Sequence, residues 1–234
     1  MPIFDDLLAG GHKMFFGREC ELYRHYVQVT EEFYQREADQ EKAAIDEFTK
    51  DMSSDDAGEV WSWQGEYYQR VTEDFPQLTR RSTLVAVFAF WEAEHRSIAE
   101  WILRSMSLRH GVGDAGLRYR DFSGSLYDKS RTILTRYAGI PDDPALWQQL
   151  RRFAEVRHLI VHSGGILPPE EKMSKKLTEA LSNLSDRGVS VNDYRTIQVE
   201  PDSILALLDA AEAYVNDLLD KCETFFEGLK PVSE

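Results

Sequence analysis

Cysteine is nearly missing from this chain: Cys20 and Cys222 are the only two in 234 residues. Two thiols rule out a disulfide framework, and neither has a second sulfur ligand near it in sequence, so both are read as buried and reduced. Long apolar runs are missing too. The most hydrophobic segment, TLVAVFAFW (Thr83 to Trp91), is soon followed by Glu92, Glu94, His95 and Arg96, which excludes a bilayer span. The opening MPIFDDLLAGG has neither the basic start nor the apolar core of a secretory signal, so a soluble cytoplasmic protein with no membrane partner is expected. No glycine-rich fingerprint follows a strand, which argues against a Rossmann or P-loop nucleotide site. Positive charge is also scarce. With 27 Lys and Arg against 41 Asp and Glu, the net charge is −14, too negative for a surface coated with nucleic-acid contacts.

What the chain has is apolar content, 42% hydrophobic with 12% aromatic side chains, enough for one sizeable core. It also has one locally basic stretch. Residues 96–157 carry eleven Lys and Arg against seven Asp and Glu, and all but Lys129 of those eleven are arginine, the side chain suited to bidentate phosphate contact. Ordinary solvated helix faces would give the same count. The aromatic segment VWSWQGEYYQ could stack bases, but packing against a core or a dimer partner is the favoured reading.

The periodicity is almost wholly helical. A long amphipathic helix is expected from Glu19 to about Met52, with room for a break in its acidic middle; its apolar positions are Leu22, Tyr26, Val29, Phe33, Ile45 and Phe48. SSDDAG (Ser53 to Gly58) reads as a linker. Pro76 introduces a helix to about Leu108, whose wide stripe of Leu84, Val87, Phe88, Trp91, His95, Ile98, Trp101 and Ile102 belongs at the centre of a core. An irregular loop with Arg109, Arg118 and Arg120 follows, then a helix from Ser125 to Tyr137. Asp143 and Pro144 start a helix that runs to His162 and stops at Gly164 and Gly165. A short exposed helix, a small β-hairpin over Val189 to Glu200 and a last helix capped by Asp202 complete the chain. The fold class is therefore all-α, a helical bundle with a long N-terminal helix and a small hairpin before the last helix. Residues 1–74 form an N-terminal extension packed on the same unit as residues 75–234.

The densest chemistry lies in EVRHLIVHSGG (Glu155 to Gly165), which sets Arg157, His158 and His162 at the polar end of an apolar helix. Three readings compete. A histidine before glycine is a favourable helix ending, and Arg157 could pair with Glu155 or Glu92. Glu155, His158 and His162 share one helical face as metal ligands can, but no further histidine or cysteine cluster completes a site, so no metal is expected. The third reading is catalytic.

RHLIVHSGG resembles the R-x4-6-H motif of the HEPN (higher eukaryotes and prokaryotes nucleotide-binding) domains, which lies near the end of a penultimate long helix. The resemblance covers about residues 75–228. It implies an all-α bundle that usually dimerises, and a metal-independent endoribonuclease of the kind found in toxin-antitoxin and phage-defence systems. Arg157, His158 and His162 are the catalytic positions it implies, with Glu92 or Glu94 as supporting acid. RNA, a second copy of the chain, and a cognate antitoxin or other defence-system protein are the partners; no cofactor is needed. Arg109, Arg118 and Arg120 are the expected RNA-binding residues. The chemistry suits these side chains: histidines move protons near neutrality, and guanidinium forks match phosphate oxygens. One difficulty is geometric. At about 100° per residue Arg157 and His162 point roughly 140° apart, which a two-fold dimer with the Pro144 to His162 helix at its interface would resolve. The alternative function is a non-catalytic module of the same fold that binds a partner protein or nucleotide through its acidic N-terminal helix.

Overall fold

The computed structural model describes the backbone of residues 2–109 and 116–228 and the side chains of residues 10–107 and 116–226. Among the described residues the chain is all-α apart from one two-stranded antiparallel hairpin. Its helices are α1 (Pro2–Thr49), α2 (Ser54–Gln69), α3 (Phe75–Arg109), α4 (Leu126–Thr132), α5 (Pro144–Ser163), α6 (Lys175–Leu184) and α7 (Pro201–Gly228). The hairpin pairs β1 (Val189–Val191) with β2 (Ile197–Val199) ahead of α7, and Ser190 faces Gln198 in its register.

Several boundaries differ from the expected ones, for local reasons. SSDDAG is no linker: the Ser53 hydroxyl accepts the Asp56 backbone N–H and caps α2, with Asp55 and Asp56 in the first turn, where the helix dipole favours acids. Pro76 does not open a separate helix, because α2 passes through a π-helical turn, Arg70–Asp74, into α3. A proline ring crowds the carbonyl four residues before it, here that of Thr72. Widening the turn, with the Phe75 N–H bonded to the Arg70 carbonyl, makes the room. α1 is unbroken, and Asp202 lies in the first turn of α7 after Pro201 rather than outside it.

α3 occupies the centre, as its stripe requires. Leu84, Val87, Phe88, Trp91, Ile98 and Ile102 are all buried, covered by Trp147, Leu150, Phe153 and Val156 of α5 and by Leu207, Tyr214, Leu218 and Cys222 of α7. Burial pushes the Cys20 and Cys222 thiols up to about 12, so both are inert at neutral pH. A polar knot sits inside this core. His95 stacks on Trp91 and lies edge-on to Tyr214, while Arg131 covers the Trp147 ring at 4.7 Å and is held by Asp142 at 2.6 Å.

The N-terminal helix docks differently from its apolar pattern. Leu22, Tyr26, Val29, Phe33 and Phe48 are between 45% and 59% exposed, and of the anticipated stripe only Ile45 is buried. The docking ridge is instead Phe16, Cys20, Val27, Ala38 and Ile45. Charge fixes the choice: Arg24 of α1 bonds Asp209 and Glu212 of α7 at 2.8 Å each, and Arg80 of α3 bonds Glu31 at 2.6 Å. α1 is thus packed on the same core as the rest, with a second apolar stripe turned outward. The aromatics of α2 are not core either; none of its residues is buried, and Trp63 is 77% exposed.

Candidate functional site

The EVRHLIVHSGG segment closes α5. Asp143 caps the start of that helix by accepting the N–H groups of Ala145 and Leu146, and Pro144 fills its first turn. Gly164 ends it in the left-handed region, φ 62°, with its N–H on the Leu159 carbonyl. Gly165, φ 84°, then accepts the Ile197 N–H at 2.9 Å, which ties the end of α5 to the hairpin.

Arg157 reaches from α5 into the seam with α3. Its guanidinium carbon lies 6.0 Å from the centre of the Phe88 ring, and its Nε is sealed from solvent with no hydrogen-bond partner. One turn along α3, Glu92 is half-buried. Burial pushes its carboxyl upward, while the positive field of Arg157 and the backbone amide of Tyr127 pull it back. Tyr127 is held there because Ser125 caps α4 by accepting the Asp128 N–H. Three helices therefore converge on the Arg157 and Glu92 pair, although the two do not form a direct ion pair.

His158 and His162 stand exposed on the outer side of α5, one turn apart, with ring centres 4.3 Å from each other. α5 is regular through Ser163, so Arg157 and His162 remain about 140° apart around its axis. The chain brings Arg157 to Glu92 and His158 to His162; it does not bring the two pairs together. Glu94, the other acid named beside the motif, faces elsewhere, bonded to His12 of α1 at 2.5 Å.

Arg118 and Arg120 flank Tyr119 in a 3-10 turn and line a groove of about 690 Å³ together with Arg96, Arg104 and Lys129. The Arg96 guanidinium and the Lys129 ammonium lie 5.1 Å and 6.0 Å from the Tyr119 ring centre. Glu100 also lines the groove and bonds Arg96 at 2.8 Å. Arg96 follows Glu92 by one turn of α3, so this cationic groove adjoins the Arg157 seam. Arg109 ends α3, but its side chain lies outside the described residues. Glu155 lines a separate groove with Arg151, Arg152 and Lys176, and among the described residues no three His, Cys, Asp or Glu side chains gather as metal ligands.

Sequence reasoning passed over Arg81. It lies seven residues before Phe88 and eleven before Glu92, within about 20° of both on the α3 surface, and that spacing was the available signal. Its Nε is buried without a partner, as that of Arg157 is.

In chemical terms the region offers a cationic groove for polyanion, a partly desolvated guanidinium for a phosphoryl oxygen, and two solvent-facing imidazoles for proton transfer. Compared with known proteins, the chain matches no family model, no curated protein and no solved structure.

Proposed function

We propose that this protein is a metal-independent endoribonuclease of HEPN type, a toxin or phage-defence effector that works in the cytoplasm. One observation carries the reading: Arg157 sits unpaired in a partly buried seam, with Glu92 behind it and a groove of five cations beside it. In a chain of net charge −14, such a local concentration of cationic side chains is a feature that a polyanion would use.

In this mechanism the cationic groove holds the RNA strand and Arg157 takes a non-bridging oxygen of the scissile phosphate. A base removes the proton of the adjacent 2′-hydroxyl, whose oxygen attacks phosphorus, and the 5′-oxygen leaves with a proton from an acid. The products are a 2′,3′-cyclic phosphate and a 5′-hydroxyl. His162 serves as base or acid, His158 orients it through their ring contact, and Arg157 offsets the extra charge on phosphorus. Glu92 positions Arg157. Because His162 and Arg157 face different sides of α5, the complete site forms across a two-fold axis, with His162 supplied by a second copy. A monomer in light scattering at working concentration would count heavily against this arrangement.

The test is cleavage of mixed RNA by purified protein in the presence of EDTA. Wild type should produce cyclic-phosphate ends with undiminished rate. His162→Ala should cut roughly 10² to 10⁴-fold more slowly, Arg157→Ala comparably, and His158→Ala less affected, with circular dichroism unchanged. RNA left intact by the wild type would overturn the reading. The second reading, a non-catalytic module that binds a partner protein such as an antitoxin, is favoured by the outward stripe of Leu22, Tyr26, Val29 and Phe33 on α1, since such stripes mark contact surfaces.

A further inference from the structure

Arg80 and Arg81 are neighbours in sequence with opposite fates. Arg80 is neutralised by Glu31 at 2.6 Å and Glu200 at 3.1 Å. Arg81 points about 100° away around α3, toward the end of α5, where its Nη1 lies 3.8 Å from the position a Gly165 side chain would occupy, close to Ile197 and Thr196. Among the described residues it has no carboxylate and no hydrogen bond, and its Nε is sealed from solvent. Burial without a partner pulls its guanidinium below the ordinary arginine range. An unpaired, partly desolvated cation is a cost that a fold does not retain for its own stability. Among the described residues, Arg81 and Arg157 are the two arginines with a buried side-chain nitrogen that has no hydrogen-bond partner.

The two are placed along one line. Phe88 meets Arg157 and Arg81 meets Gly165, so α3 and the end of α5 run antiparallel, and the seven residues from Arg81 to Phe88 span about 10 Å at 1.5 Å per residue. Because successive phosphates of a strand lie farther apart than its roughly 3.4 Å axial rise per nucleotide, this span is about two nucleotide steps. On its other side the Arg157 seam adjoins the groove of Arg96, Arg118, Arg120 and Lys129. The cations thus form a track along α3 with Arg157 inside it and Arg81 at one end.

We propose that Arg81 is a second anion anchor, binding a phosphodiester oxygen about two nucleotides from the phosphate held by Arg157 and so fixing the register of the strand. The proposal rests on the RNA-cleaving reading for its substrate, whereas the site itself is defined by phosphoryl chemistry, which free phosphate shares. Arg81 is a positioning residue for the strand and takes no part in proton transfer.

The experiment uses the full chain as wild type, Arg81→Met and Arg81→Lys, with two probes: a short single-stranded 2′-O-methyl oligoribonucleotide, which cannot be cleaved, and inorganic phosphate. Arg81→Met should weaken oligonucleotide binding roughly tenfold and lower the slope of log affinity against log salt by about 0.7, one lost phosphate contact. Arg81→Lys should keep the slope and recover only part of the affinity, since it retains the charge without the fork. The melting temperature of Arg81→Met in chloride should equal or exceed that of the wild type. A melting temperature raised by phosphate, with oligonucleotide affinity unchanged by Arg81→Met, would assign the site to a small anion and overturn the strand anchor. A lower melting temperature with an unchanged salt slope would make Arg81 a tie at the end of α5 and also overturn it. If the wild type cleaves RNA while affinity and slope ignore Arg81, the anchor fails and the ribonuclease reading stands. If the wild type cleaves nothing yet Arg81→Met flattens the slope, the anchor stands and the catalytic reading fails.

Discussion

His95 gives the sharpest quantitative test of the fold. Its ring is fully buried between Trp91, Trp147 and Tyr214, with Nε2 3.3 Å from the Tyr214 hydroxyl and Nδ1 bonded to nothing. Loss of hydration and, second, the positive field of Arg131 push its pKa down to about 3 from an unfolded value of 6.5. The unfolded chain therefore takes up a proton first, and stability is lost as pH falls below 6.5, continuing until the folded pKa is reached. At about 1.36 kcal/mol per unit, moving from pH ~7.5 to pH ~5 costs about 2 kcal/mol through this one group. For a chain of this size that is roughly 4–8 °C in melting temperature. In His95→Phe the proton site is gone. Its absolute stability will differ because the Tyr214 bond and the packing change, so the quantity to read is the pH slope. Urea unfolding of both proteins across that pH range should show the wild type losing about 2 kcal/mol more than the variant. Every other histidine is common to the two, so parallel slopes would refute the neutral buried imidazole.

Two left-handed glycines separate backbone strain from crowding. Gly139→Ala, φ 70° in open space, meets conformational strain alone, about 1–2 kcal/mol, whereas Gly188→Ala, φ 82°, also drives a Cβ to 2.8 Å from that of Glu200, for about 2–5 kcal/mol in denaturant titrations. Reversing Arg118 and Arg120 to glutamate should weaken RNA binding and flatten its salt dependence; an unchanged slope removes their groove from the RNA path. Glu92→Gln should melt no lower than wild type at neutral pH, because burial raises its carboxyl and the charged form is the one the fold disfavours above the unfolded pKa. The same variant should cleave RNA roughly tenfold more slowly, about 1.4 kcal/mol in the barrier, and a variant as active as wild type would detach Glu92 from Arg157.

Much of the fold was legible because its signals are local. The α3 stripe, the Asp143 and Pro144 start of α5, its Gly164 end and the hairpin before α7 each rest on residues within a few positions of one another, and each is present. What failed was long-range. α1 carries two apolar stripes, and periodicity cannot say which one meets α7; Arg24 with Asp209 and Glu212 decides it across more than 180 residues. Ser53 looked like part of a linker because Ser, Asp and Gly serve both turns and N-caps. In the site, Arg157 and the histidines could be picked out from a short pattern. Glu92 could not be separated from Glu94 until α3 was placed, since two residues on a helix point about 160° apart, one toward Arg157 and the other toward His12.

A strongly negative composition and a locally cationic seam coexist in this chain because charge is unevenly distributed over it. Many of the acids are engaged in holding helices to one another or stand along α1 and α7: Arg24 takes Asp209 and Glu212, Arg80 takes Glu31 and Glu200, and Arg131 takes Asp142. Net charge sums over these neutralised pairs and over a solvated acidic flank, whereas a ligand responds to the local potential within about a Debye length, some 8–10 Å at moderate salt. Along the α3 seam that potential is set by Arg81, Arg157 and the five cations around Tyr119, opposed by Glu92 and Glu100. If the seam binds RNA as proposed, an acidic remainder also has a physical use: it disfavours polyanion on the acidic faces, which narrows the orientations a bound strand can take. On this argument, neutralising acids of α1 remote from the seam should strengthen nonspecific RNA binding without accelerating cleavage, whereas removing a seam cation should weaken binding and cleavage together.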